Sequence, residues 1–305
     1  MADKFPKHVF TSLSELLDLE AFARGFSFQA KKQKVRSVLG GKHASKLRGR
    51  GMDFEEVRQY VAGDDIRNID WKVTARTQKT HSKVFSEEKE KPALIVVDQS
   101  RTMFFGSQKK TKAVVAAEIA SMAAFKIQKE GDRVGGLVFT ETDVDVVLPK
   151  RNRKNTLRFL ERIVESNHSL IHQKKGDREK VLTEAMNKVQ NIVTHDFLVI
   201  IISDFVHHSP EVIKYLARLS KHNDVVLIKV ADPMERTLPT DKMIVGDGEK
   251  QIVVDGKKKS MQVQFEKAYD QDLSSFEAEL LKYRIPLIQL NTTEDVDVQL
   301  KSVFR

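Results

Sequence analysis

The stretch Ala93-Leu94-Ile95-Val96-Val97-Asp98-Gln99-Ser100-Arg101-Thr102 decides the fold. Five apolar residues run straight into an aspartate, and hydroxyl side chains follow at two-residue steps. An apolar run without alternation reads as a strand buried on both faces, as in a parallel sheet. In open α/β sheets, ligands bind just beyond the carboxyl ends of strands. Asp98, Ser100 and Thr102 leave the strand at that end. A carboxylate and two hydroxyls are hard oxygen donors of the kind Mg²⁺ takes while keeping several waters. The same residue types serve turns and helix N-caps, so the segment alone leaves both readings open.

A second run, from Asp196 to Asp204, has the same form: Phe-Leu-Val-Ile-Ile-Ile leading into Ser203-Asp204. Two neighbouring strands that end in Asp98 and Asp204 would place both carboxylates across one crevice. Around these runs the pattern alternates. Helical spacing is seen over residues 110–129, 155–166, 178–190, 265–283 and 295–303, and strand-like runs over 133–140, 144–148, 225–230 and 286–290. Ser209-Pro210-Glu211 opens a helix with an N-cap serine, proline at the first position and an acid at the positive dipole end. Residues 243–264 read as short strands split by glycines, with Lys257-Lys258-Lys259 at a charged hairpin tip. Such alternation predicts an α/β fold, a mainly parallel sheet flanked by helices.

Towards the N-terminus the periodicity fades. Residues 13–24 predict a short amphipathic helix. Residues 31–91 are glycine-rich and read as irregular chain with short strands. The chain has 305 residues and a net charge of +9. Residues 1–92 hold 19 Lys and Arg against 13 Asp and Glu, and no acid stands between Ala21 and Met52. That basic stretch suits a solvated edge, an acidic protein face or nucleic acid phosphates. It holds three phenylalanines (Phe22, Phe26 and Phe28) but no Tyr or Trp, which is poor support for base stacking. Cysteine is absent, which excludes disulfides, thiolate zinc sites and thiol catalysis. No apolar run approaches the ~18 residues of a membrane span. No charged-then-apolar leader opens the sequence, so a cytoplasmic protein is expected.

The constellation of Asp98, Ser100, Thr102 and Asp204 resembles the von Willebrand factor A fold. The metal-ion-dependent adhesion site of that fold uses an Asp-x-Ser-x-Ser loop, a threonine from a second loop and an aspartate from a third. Asp98, Ser100 and Thr102 match the first loop, with Thr for the last Ser, and Asp204 matches the third. The second loop departs from the pattern. Aligned on Leu182–Met186, the expected threonine falls near Lys180, where a lysine would repel or replace a cation; Thr183 fits only under another alignment. The resemblance implies Mg²⁺ at a site that this departure makes degenerate.

The preceding segment carries a second resemblance. It runs from Gly51-Met52-Asp53-Phe54-Glu55-Glu56 through Arg58, Tyr60, Gly63-Asp64-Asp65, Arg67 and Asp70-Trp71 to Arg76. With Phe85-Ser-Glu-Glu, Ile202-Ser-Asp-Phe205 and Asp232-Pro-Met-Glu235, it is similar to the bacterial family catalogued as domain of unknown function 58. Members join this signature to a von Willebrand A-like domain, and their genes commonly neighbour MoxR-type AAA+ ATPases. The implied organisation is a basic N-terminal segment, residues 1–92, carrying the signature, then a von Willebrand A-like domain, residues 93–305. The implied role is that of a non-enzymatic adaptor or chaperone-associated module whose crevice binds a carboxylate of a MoxR-type ATPase or its client. If a lysine fills the site, charge pairing can do this without metal.

Asp64, Asp65, Arg67, Asp70 and Arg76 can form an ion-pair network that Trp71 anchors apolarly. Alternatively, the three aspartates could hold metal for phosphodiester cleavage or phosphoryl transfer. A third reading is nucleic-acid binding through residues 21–52, with affinity that falls steeply with salt. Other chemistries lack their motifs. There is no Gly-x₄-Gly-Lys-Ser/Thr loop, no His-Glu-x-x-His and no Gly-x-Ser-x-Gly elbow. His207-His208 are adjacent and so poorly placed to share one metal.

Overall fold

The computed structural model describes residues 5–24, 52–87, 91–173, 176–206, 208–240, 242–246, 251–255 and 257–304. The chain forms two compact units, Gly40–Glu90 and a larger one made of the remainder.

The larger unit opens with α1 (Leu13–Asp18), which passes into a 3₁₀ helix over Leu19–Arg24. Ser12 starts α1 through a capping box: its hydroxyl accepts from Glu15 N, and the Glu15 carboxylate accepts from Ser12 N. The smaller unit holds β1 (Met52–Gln59), α2 (Trp71–Thr77) and β2 (His81–Glu87). β1 and β2 pair antiparallel with a bulge between Phe54 and Glu56. This pair accounts for the short strands expected there. Residues 25–51 lie outside the described residues, and with them most of the basic stretch 21–52.

The larger unit continues with β3 (Pro92–Asp98), α3 (Lys112–Lys129), β4 (Arg133–Phe139), β5 (Val144–Lys150), α4 (Arg153–Ser169) and α5 (Arg178–Ile192). It then runs through β6 (Leu198–Ser203), α6 (Pro210–Leu219), β7 (Asp224–Ala231) and α7 (Pro233–Arg236). It closes with β8 (Lys242–Gly246), β9 (Gln251–Asp255), α8 (Lys259–Lys282), β10 (Leu287–Asn291) and α9 (Val296–Val303). The main sheet has the order β10-β7-β6-β3-β4-β5, with every neighbouring pair parallel except β4 and β5. This is the expected von Willebrand A-like arrangement.

Every residue of β3 is buried because both faces are covered. Ala93, Ile95 and Val97 join a core with residues of α1, α3, α4 and α9. Leu94 and Val96 point the other way, into a core with residues of α5, α6 and α8. This explains the unbroken apolar runs in the sequence. Small residues let elements approach closely on the first face. A Cβ on Gly136 of β4 would sit 1.9 Å from the Phe159 ring of α4.

Three expectations need correction. The segment 1–92 is not one unit, because residues 5–24 pack on α3 and α4 of the larger unit. Leu16 is fully buried, Ser121 Oγ of α3 donates to Leu16 O at 2.7 Å, and Thr11 N donates to Asn167 Oδ1 of α4 at 3.0 Å. Lys257–Lys259 is no hairpin tip. The strands end at Asp255 and α8 begins at Lys259, where Met261 and Phe265 already repeat at helical spacing. Trp71 is no buried anchor, being 68% exposed. Among the described residues, no helix is long and apolar enough to cross a membrane.

Candidate functional site

β3 and β6 are adjacent and parallel, so their carboxyl ends deliver Asp98 and Asp204 to one place. Both carboxylates are fully buried. Asp98 Oδ1 accepts from Ser100 N at 2.9 Å, and its Oδ2 accepts from Ser203 Oγ at 2.6 Å. Asp204 Oδ1 accepts from Val206 N at 3.2 Å. Ser100 Oγ lies 3.4 Å from Thr102 Oγ1. The structure therefore brings together all four residues expected at the crevice.

Two fixed cations share it. Arg178, from the first turn of α5, donates through Nη1 to Thr102 Oγ1 at 2.9 Å. Its Nη2 stands 3.6 Å from Asp98 Oδ2 and 3.8 Å from Asp204 Oδ1, and its Nη1 is 3.7 Å from Glu141. Lys112, at the start of α3, is only 2% exposed and donates to Asp204 Oδ2 at 2.9 Å. It also donates to Glu235 of α7. Lys229 Nζ of β7 donates to the Asp204 carbonyl beneath.

The charges set one another's protonation. Burial, then the neighbouring Asp204 charge, push the Asp98 carboxyl above its usual range. Burial also opposes ionisation of Asp204, but Lys112 and Arg178 outweigh it and hold that carboxyl below the usual range. Burial likewise works against the charge on Lys112, yet Asp204 and Glu235 prevail and raise it. Lys229 is lowered, chiefly by burial.

The donor set alone suits a divalent cation, but its surroundings do not. A guanidinium already approaches both carboxylates, and a buried ammonium holds Asp204 from another side. Mg²⁺ would have to enter against both positive charges. Arg178 Nε, buried and without a hydrogen-bond partner, adds a donor where a cation needs acceptors. Among the described residues no group of three or more His, Asp and Glu is arranged to hold a metal.

The cation beside the two carboxylates is Arg178, two residues before the expected Lys180. Lys180 and Thr183 are exposed on α5; Lys180 N donates to Asp177, and Thr183 Oγ1 to the Glu179 carbonyl. Two residues turn a helix by about 200°, so Lys180 faces away when Arg178 faces in. Sequence reading missed Arg178, Lys112, Glu235, Lys229 and Glu141. Only Glu235 had a local signal, the Asp232-Pro233-Met234-Glu235 capping box.

The early acidic block is not a site of gathered carboxylates. Asp64 accepts from Arg58 Nη2 at 2.7 Å and Val61 N at 3.0 Å. Asp65 caps its own turn at Arg67 N, and Asp70 caps α2 at Lys72 N and Val73 N while pairing with Lys83 at 3.7 Å. Ion pairs form instead at Arg58–Asp64 and Lys83–Asp70, with basic partners outside the expected set. Arg67 and Arg76 pair with no acid among the described residues.

The family profile described as Protein of unknown function DUF58 matches residues 56–274. An uncharacterized protein of Mycobacterium tuberculosis is 28% identical over 223 residues, which cover 73% of this chain and 68% of that protein. By structure the chain is similar to the conserved hypothetical protein BatB from Bacteroides thetaiotaomicron. That match has 17% identity, covers 69% of this chain and 95% of BatB, and has a TM-score of 0.44. It is also similar to the SpRpn10 VWA domain, with 12% identity, 70% and 94% coverage and a TM-score of 0.35.

Proposed function

This chain belongs to the DUF58 family, and from that premise and the filled crevice we propose a non-enzymatic protein-interaction module that works without a bound metal. The observation that carries the reading is the Arg178 guanidinium set between Asp98 and Asp204. It takes the position from which a metal would reach out to a partner carboxylate. Its charge is answered within the chain by Asp98, Asp204 and Glu141, so the crevice floor is a lock. The lock ties together the loops after β3, β6 and β7 and the start of α5.

Those loops present Phe104 and Phe105 after β3 and Val206 after β6, all exposed. Aromatic side chains on rigid loops lose little freedom on binding and make good interface anchors. The partner proposed from the family resemblance is a MoxR-type AAA+ ATPase or its client, met in the cytoplasm. The Ser203 hydroxyl and the Asp98 carboxylate to which it donates are both buried, and Thr102 accepts from Arg178, so these groups serve the crevice floor itself.

The test is co-purification with that ATPase in the presence of Mg²⁺ or of EDTA with ATP omitted. Equal recovery in both, lost in Phe104→Ser/Phe105→Ser, is expected. Recovery that requires Mg²⁺ in the absence of nucleotide would refute the metal-free reading.

A further inference from the structure

Trp71 stands on α2 of the smaller unit. At helical spacing Trp71 and Ala75 form one row of α2, and Lys72 and Arg76 form the next. All four are exposed, whereas Val73 and Thr74 are half-buried. Arg67, in the turn before the helix, and Lys79, just after it, are exposed as well. None of Arg67, Lys72, Arg76 and Lys79 pairs with an acid among the described residues.

The lack of countercharge follows from the caps. Asp64 is held by Arg58 and Val61 N, and Asp70 by the start of α2 and by Lys83. From Trp71 to Lys83 the sequence contains no acid. Asp64 and Asp70 are thus taken up by backbone caps and by Arg58 and Lys83, while Lys72 and Arg76 stand exposed in the row beside the exposed Trp71. Trp and Arg are the residues most enriched at interface hot spots. A field of one sign steers and selects a partner of the other.

We propose that this face of α2 docks an acidic protein surface bearing an apolar pocket. The Trp71 indole fills the pocket, and carboxylates pair with Arg67, Lys72 and Arg76. A protein fits better than nucleic acid, because α2 offers one aromatic ring and no second platform on which a following base could stack. The inference does not depend on the crevice.

Trp71 is the only tryptophan in the chain, so intrinsic fluorescence reports on this face alone. The free full-length protein is expected to emit as a solvated indole and to be quenched readily by iodide. A phage-displayed library of random dodecapeptides, selected on the immobilised chain, is expected to enrich peptides that combine Glu or Asp with an apolar residue. Those peptides, made synthetically, should shift the emission to the blue, protect it from iodide and bind less well as salt is raised. Arg67→Ala/Arg76→Ala should weaken them at least tenfold. A buried emission in the free chain would overturn the proposal, since the face would already be covered. Enriched peptides that are not acidic, or that leave the emission unmoved, would overturn it too. So would a blue shift produced by a single-stranded oligonucleotide but by none of the selected peptides.

Discussion

Replacing Arg178 by threonine asks whether a guanidinium has taken over the work of a metal. The group donates one hydrogen bond of 2.9 Å to Thr102 and stands 3.6 Å from Asp98 and 3.8 Å from Asp204. Unit charges at such distances attract by about 4–5 kcal/mol each at an effective dielectric near 20. Desolvation offsets much of this, and removing one partner of a buried pair typically costs about 3–5 kcal/mol. The Arg178 side chain keeps 16% exposure, and Lys112 stays beside Asp204 in the variant. A loss of about 2–4 kcal/mol is therefore expected. In a domain of this size that lowers the melting temperature by about 5–15 °C.

Adding Mg²⁺ or Mn²⁺ separates the two explanations of the crevice. The wild type should show no saturable shift by scanning fluorimetry and no heat by calorimetric titration. In Arg178→Thr, the carboxylates of Asp98 and Asp204 and the hydroxyls of Ser100 and Thr102 face a vacated cation position. Metal at one hundred times its Kd should then return about 2.7 kcal/mol. Saturable metal binding by the wild type, or a variant that melts with the wild type, would refute the reasoning.

Three further outcomes follow from the same geometry. Lys112→Met leaves Asp204 and Glu235 without the ammonium between them, and a loss of about 3–5 kcal/mol is expected in urea unfolding; a loss below about 1 kcal/mol would show that the cluster relaxes around the gap. Asp204, held low, contributes stability present above the ordinary carboxylate pKa and lost as pH falls through its lower folded value. Asp98, held high, instead takes stability away as pH rises from the ordinary value to its folded one. Asp98→Asn should therefore become less destabilising relative to wild type as pH rises from about 4 to 8, and paired urea titrations with a flat difference would contradict this. Asn167→Ala breaks bonds to Thr11 N and Gln99, and about 1–3 kcal/mol should be lost, with faster hydrogen exchange concentrated around Leu16; a uniform rise in exchange would count against the local account.

Much of the architecture could be read from the chain because strand burial leaves a local mark. Val96 and Val97 lie on opposite faces of β3 yet are equally buried, and the run from Ala93 to Asp98 shows that directly. The meeting of Asp98 with Asp204 was legible for the same reason, since two such strands in a parallel sheet end on the same side. The cations were not legible. Lys112 looks like an ordinary solvated helix-start lysine, and only the packing of α3 against the sheet buries it. Arg178 is one of several basic residues near the start of α5, and which of them turns inward depends on the helix phase, which an alignment off by two residues inverts. Trp71 failed in the opposite sense. A lone indole amid charges suggests an anchor, but Trp71 is exposed, and a side chain's burial is decided by packing that its own neighbours in sequence do not reveal.

The first two dozen residues have an unusual standing in this chain. Residues 5–24 belong to the sheet unit, although a separate compact unit stands between them and β3 in the sequence. The chain leaves a body and later re-enters it. A single nick in the intervening stretch would thus release nothing. Leu16 would stay buried, and its carbonyl would keep the bond from Ser121. What changes is molecularity: the short fragment becomes a ligand of the larger unit, and the melting of the nicked protein becomes dependent on concentration. In the intact chain that ligand is covalently tethered, and the intervening unit is the leash that sets its effective concentration.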